Sequence, residues 1–203
     1  MSRYCSTCGK AGKACLCEWI ESLTSNVELV ILQHPSEQHK PMGTARILSL
    51  SLPNCRVFVG ENFAQHNELR SLLNEPDVRH FVLYPSESSQ LVTKMAISPQ
   101  RDKVRVILLD GTWKKAYKMY QLAPCLHSLP ALHLPTDLKG HYRIRKAPSE
   151  NSLSTVEAGY HLLTLLEPQR NFSPLIAAFE QMIAFQIAQM PEGVFERNYL
   201  SHS

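Results

Sequence analysis

Apolar positions in this chain fall into short continuous runs, separated by longer stretches with helical spacing. Val106 to Leu109 is apolar at every position and partly β-branched, the pattern of a strand buried on both faces. Val27 to Gln33, Cys55 to Val59, His80 to Tyr84 and Leu129 to Leu134 also read as strands, with Pro35, Gly60, Pro85 and Pro135 closing them. Between these runs Thr44 to Leu52, Asn67 to Leu73 and Trp113 to Leu122 predict helices. Ser154 and Glu157 form a capping-box pair that opens another helix after Leu153. Pro174 to Met190 carries Leu175, Phe179, Met182, Ile183, Ile187 and Met190 on one face, a packing helix. Strands alternating with helices predict an α/β fold, a mostly parallel sheet flanked by helices.

Chemistry concentrates where the Val106 strand stops. Asp110, Gly111, Thr112 and Trp113 follow it, with Gly111 suited to a tight turn and Thr112 to a helix cap. The carboxyl edge of an open α/β sheet is where ligands bind. Asp110 as a turn residue and Trp113 as a core anchor is the alternative reading of the same four residues. His34, at the end of the first strand, and the loop Ser86-Glu87-Ser88, at the end of the third, reach the same edge. The capped helix at Ser154 would offer free N–H groups and partial positive charge to a carboxylate.

Composition narrows the class. The 203 residues suit one domain with a sizeable core, and 44% hydrophobic with 19% charged residues is ordinary for a globular chain. No apolar run approaches a membrane span, which predicts a cytoplasmic protein without a membrane partner. Cys5-x2-Cys8 and Cys15-x-Cys17 place four of the six cysteines within the first 19 residues. Four thiolates so close predict a structural zinc knuckle over 1–19, with the rest, 20–203, as the main domain. Net charge is only +3, but its distribution is uneven. Arg101 to Arg105 reads as a basic approach to the central strand. Lys139, His141, Arg143, Arg145 and Lys146 come without an intervening acid, beside Tyr142, a pattern suited to RNA phosphates. Lys114, Lys115 and Lys118 fall on an exposed helix face.

Several of these segments occur together in a recognisable order. The cysteine cluster is followed by Gln33-His34-Pro35-x-Glu37, Thr44-Ala45-Arg46, Leu83-Tyr84-Pro85-Ser86-Glu87, Asp110-Gly111-Thr112-Trp113, Arg145-x2-Pro148 and Leu153-Ser154-Thr155-x-Glu157-Ala158. From Cys5 to about Leu166 the chain resembles the DTW-domain family. That resemblance implies a SPOUT-like fold with a C-terminal trefoil knot. It implies transfer of the 3-amino-3-carboxypropyl group of S-adenosylmethionine to N3 of a tRNA uridine. Carried onto this sequence, it makes Asp110 and Trp113 the catalytic candidates. Leu83, Tyr84, Pro85, Ser86, Glu87, Gly111, Thr112, Leu153, Ser154 and Thr155 join them as contacts of S-adenosylmethionine. His34, Arg46, Lys114, Arg143, Arg145 and Lys146 are the tRNA contacts, and Cys5, Cys8, Cys15 and Cys17 the zinc ligands. A methyltransferase of the same broad fold and a non-enzymatic zinc-containing RNA-binding module are the competing readings. A monomer is the working expectation for the assembly.

Overall fold

The computed structural model describes residues 3–94, 98, 101–138, 140 and 153–195. Six strands form one sheet: β1 (Val27–Gln33), β2 (Cys55–Val59), β3 (Val78–Leu83), β4 (Gln90–Leu91), β5 (Lys103–Asp110) and β6 (Ala131–His133). Their spatial order is β2-β1-β5-β3-β6-β4, and all five pairings are parallel. Among the described residues six α-helices accompany them: α1 (Ala45–Ser51), α2 (Asn67–Leu73), α3 (Trp113–Gln121), α4 (Pro124–His127), α5 (Thr155–Leu166) and α6 (Ser173–Ala188). The expected architecture, a parallel sheet flanked by helices, is the observed one. Among the described residues no helix is long and apolar enough to cross a membrane.

Side chains alternate along β5. Val104, Val106 and Leu108 enter a core with α1, α5 and α6, whereas Ile107 enters a second core with α2, α3 and α4. Burial on both faces explains why this run lacks polar alternation. The strand begins earlier than its apolar run suggests. Register with β1 pairs Val27 with Val104 and Glu28 with Arg105, which extends pairing to Lys103. Arg105 is therefore no part of a basic approach. Its guanidinium is buried, donating to Glu28 at 2.6 Å and Glu75 at 2.7 Å. Those acids meet it only across the fold.

The N-terminal segment packs onto the first core. Cys8 and Leu16 are buried there with Leu175 and Phe179 of α6. Gly9 takes φ +68°, a left-handed turn that a side chain would strain. Gly159 has a different reason to be glycine. A Cβ there would come within 2.8 Å of the Leu48 methyls, so α5 and α1 touch through bare backbone.

Candidate active site

Parallel strands leave their carboxyl ends on one edge, and a cavity of about 780 Å³ opens there. Its lining comes from segments far apart in sequence: Glu37 to Thr44 after β1, Leu83 to Ser86 and Ser89 after β3, Leu108 to Trp113 at the end of β5, Leu132 to Thr136 from β6, and Leu153 to Thr155 at the start of α5. Volume and lining suit a ligand the size of a nucleoside derivative. Of the residues assigned to S-adenosylmethionine, all but Glu87 line it. Glu87 is exposed outside the lining, and Ser89, held by His133 Nδ1 at 3.0 Å, lies in the wall instead.

Asp110 ends β5 opposite Gln33 of β1 and is 7% exposed. Gln33 Nε2 donates to one carboxylate oxygen at 2.8 Å, and the Thr155 hydroxyl donates to the other. Burial pushes the Asp110 carboxyl above the usual carboxylate range, and those two hydrogen bonds offset only part of the shift. Glu37, in the opposite wall, differs. Burial raises it too, but Lys40 at 2.8 Å and Lys115 at 3.0 Å outweigh burial and leave its carboxyl below its ordinary value. Two carboxylates on one cavity thus have different basicities, the arrangement that separates a proton acceptor from a fixed charge.

Gly111 does not use left-handed backbone. It is needed for close approach, since a Cβ there would stand 3.1 Å from Lys115 Cβ and 3.6 Å from His34 Cβ. Thr112 caps α3 by accepting from the Lys115 amide. Trp113, the first residue of α3, is 51% exposed at the cavity mouth, which rules out the core-anchor reading. Tyr84 stacks on Tyr120 at 4.2 Å and 11°. Burial, with the phenols of Tyr117 and Tyr120 nearby, pushes the Tyr84 hydroxyl's pKa up and keeps it a donor.

The capping box of α5 is present as its sequence predicts, but it consumes amides expected to be free. Glu157 accepts from the Ser154 amide, Ser154 Oγ accepts from the Glu157 amide, and the Val156 amide donates to Thr44 Oγ1. What α5 offers the cavity is the field of its N-terminus and the Thr155 hydroxyl.

His34 lies beside the cavity, outside its lining. Its Nδ1 accepts from the Ser36 amide and its Nε2 faces Glu61 at 3.2 Å. Arg46 turns away toward the cysteine knuckle, donating to the carbonyls of Thr7 at 2.6 Å and Cys8 at 3.1 Å. Lys114 is exposed beside Trp113. The basic run with Arg143, Arg145 and Lys146 lies outside the described residues.

The four sulfurs of Cys5, Cys8, Cys15 and Cys17 lie within 4.8 Å of one another. Cys5 to Cys17 and Cys8 to Cys15 are both 3.7 Å. Four sulfurs bound at ~2.3 Å to one tetrahedral ion would stand about 3.8 Å apart, so the cluster fits a metal site. Backbone amides of Cys8 and Thr7 pull the Cys5 thiol down to about 6, while burial and the neighbouring thiols push Cys17 up to about 12. Four adjacent thiols do not all ionise without a cation to hold them. The knuckle is tied to the cavity wall. Lys10 Nζ donates to the carbonyls of Lys40 at 3.0 Å and Pro41 at 2.6 Å. Lys10 thereby belongs to a structural joint and not to a solvated basic turn.

Glu37, Lys40 and Thr44 entered the site through tertiary structure. Glu37 and Thr44 stand in the motifs Gln33-His34-Pro35-x-Glu37 and Thr44-Ala45-Arg46, which carried no role for either, and Lys40 had no signal beyond its position between them.

A model of the DTW domain matches residues 2–187 of the chain. The tRNA-uridine aminocarboxypropyltransferase 2 of Drosophila melanogaster is 33% identical over 172 residues, covering 80% of this chain and 66% of that protein. The Macaca fascicularis protein of the same name is 26% identical over 190 residues, 90% of this chain and 63% of its own length. The chain thus spans just under two thirds of these two relatives. The tRNA-uridine aminocarboxypropyltransferase A of Arabidopsis thaliana is 25% identical over 213 residues, covering 91% of this chain and 81% of its own. No solved structure matches the chain. With Asp110 to Trp113 together on the cavity lining and the domain model spanning nearly its whole length, the chain belongs to the DTW-domain family.

Proposed function

We propose that this protein transfers the 3-amino-3-carboxypropyl group of S-adenosylmethionine to N3 of a tRNA uridine, releasing methylthioadenosine. The observation that carries the reading is Asp110: a carboxylate at the cavity floor, oriented by Gln33 and Thr155, with its proton affinity raised by burial. Uridine N3 is a weakly acidic imide nitrogen and must lose its proton to attack. Asp110 accepts that proton, each of its oxygens keeping lone-pair capacity beyond the bond it already accepts. N3 then bonds to the γ-carbon of the methionine moiety as the sulfur–carbon bond breaks, and the sulfonium leaves as a neutral thioether. Positioning is the larger part of catalysis, because a sulfonium is an activated leaving group.

In this reading Leu83 to Ser86, Gly111 to Trp113 and Leu153 to Thr155 hold the donor. Glu37, kept ionised by its lysines, faces the donor's amino group. Lys114 and the run through Arg143, Arg145 and Lys146 take tRNA phosphates. Arg46 and His34 serve by bracing the knuckle and the loop after β1. Zinc in the cysteine knuckle closes the N-terminal segment. The protein acts in the cytoplasm as a monomer, and its fold is SPOUT-like with a C-terminal trefoil knot.

Incubation of purified protein with S-adenosylmethionine and bulk tRNA, followed by nucleoside mass spectrometry, tests the reading. An aminocarboxypropyl-uridine peak with stoichiometric methylthioadenosine is expected. A methylated nucleoside would assign a methyltransferase instead, and RNA binding indifferent to the donor with no product would assign a binding module.

A further inference from the structure

Helix α3 carries aromatic residues at positions i, i+4 and i+7: Trp113, Tyr117 and Tyr120. That spacing puts all three on one face. Its buried face runs through Ala116 and Met119, and the half-buried Tyr120 lies at the border between the two faces, packed against the core. Trp113 is 51% and Tyr117 58% exposed, the two most exposed aromatics among the described residues that follow the cysteine knuckle. The strip is continuous with the cavity at both ends. Trp113 lines its mouth, and Tyr120 stacks on Tyr84, which lines its wall. Along the strip's outer flank run Lys114 and Lys118, both exposed. Large flat rings in water beside cations suit a ligand with π-faces and phosphates.

We infer that this face of α3 is a stacking platform for unpaired nucleotides flanking the acceptor uridine. The inference rests on the aminocarboxypropyl-transfer reading and deepens it. N3 sits on the base-pairing edge, so a uridine in a stem cannot present it, and one splayed into the cavity leaves its neighbours unstacked. Aromatic side chains are how proteins recapture such bases. Lys114 is placed to meet the phosphate between them.

The test uses the full chain with Tyr117→Ala and Tyr117→Phe. The probes are bulk tRNA, a synthetic stem-loop RNA with a loop uridine, and the same stem-loop with abasic sites flanking that uridine. Tyr117→Ala is expected to weaken stem-loop and tRNA binding by roughly five- to a hundredfold. It should raise the KM for RNA with kcat and S-adenosylmethionine affinity unchanged, and Tyr117→Phe should match the parent. Abasic flanks should cost the parent protein what Tyr117→Ala costs on intact RNA, and the two losses should not add. Unchanged RNA affinity in Tyr117→Ala overturns the platform, as does an equal loss in Tyr117→Phe, which would assign the effect to the hydroxyl. Failure of the activity reading is separable. It would show as absence of modified uridine with the parent protein, while Tyr117-dependent binding of the loop persisted and upheld the platform.

Discussion

Gln33 and Asp110 stand opposite each other at the carboxyl ends of β1 and β5, and the Gln33 amide donates to the Asp110 carboxylate at 2.8 Å. The Thr155 hydroxyl holds the other oxygen. Asp110→Asn preserves this geometry, since its Oδ1 can accept from Gln33 and its Nδ2 donate to Thr155. Turnover is expected to fall by about two to four orders of magnitude, the range for loss of a general base. Steady-state kinetics with intact S-adenosylmethionine affinity checks it. Near-parental turnover would return Asp110 to a turn residue and direct attention to Glu37.

Stability should move the other way. Burial raises the folded-state pKa of Asp110, so ionisation is costlier folded than unfolded. That cost grows as pH rises through the ordinary carboxylate range and saturates above the raised folded value. Asp110→Asn should therefore melt at or above the parent temperature at neutral pH. The difference should shrink as pH falls through the raised folded value and be gone below the unfolded aspartate pKa, as thermal melts across pH would show.

Trp113→Ala separates binding from folding because the ring is 51% exposed. Thermal stability should change by less than about 1 kcal/mol, as for surface substitutions. RNA and donor affinity should drop. A large loss of stability would mean that the indole packs more tightly than its exposure indicates.

The cysteine knuckle should bind about one zinc per chain, lost in Cys8→Ser and retained when Cys55 and Cys125 are replaced. Burial pushes the Cys55 thiol up to about 12, so it stays inert toward alkylation. Elemental analysis of protein purified without chelators decides the stoichiometry. Lys10→Met tests the joint between knuckle and cavity. It removes the bonds to Lys40 and Pro41 carbonyls, so amide exchange across residues 37–44 should quicken while zinc content holds.

Gly159→Ala should destabilise, although alanine is the better helix former by about 1 kcal/mol. The added methyl meets both Leu48 methyls at 2.8 Å in the core, and overpacking costs about 1–3 kcal/mol. Chemical denaturation gives the sign directly.

What local sequence determined is what local physics controls. Apolar runs marked β1, β3 and β5, because strands in the middle of a parallel sheet are covered on both faces, and shorter apolar stretches marked β6 and the edge strand β2. Ser154 and Glu157 announced the start of α5, since a capping box closes within four residues. The cysteines announced by their own spacing a cluster of four thiols that fits a metal site. β4 and α4 went unread because two paired residues and one helical turn carry too little pattern. What tertiary structure decided depends on groups brought together from afar. Arg105 looked like surface charge until register set it between Glu28 and Glu75. Trp113 looked fit for the core, but the inward face of α3 belongs to Ala116 and Met119. Asp110 became a carboxylate with raised proton affinity because the packed fold buries it, while hydrogen bonds from Gln33, 77 residues away, and Thr155, 45 away, orient it and offset part of the shift. Local spacing places a carboxylate at a strand end, but the field around it comes from the packed fold, and that field sets its chemistry.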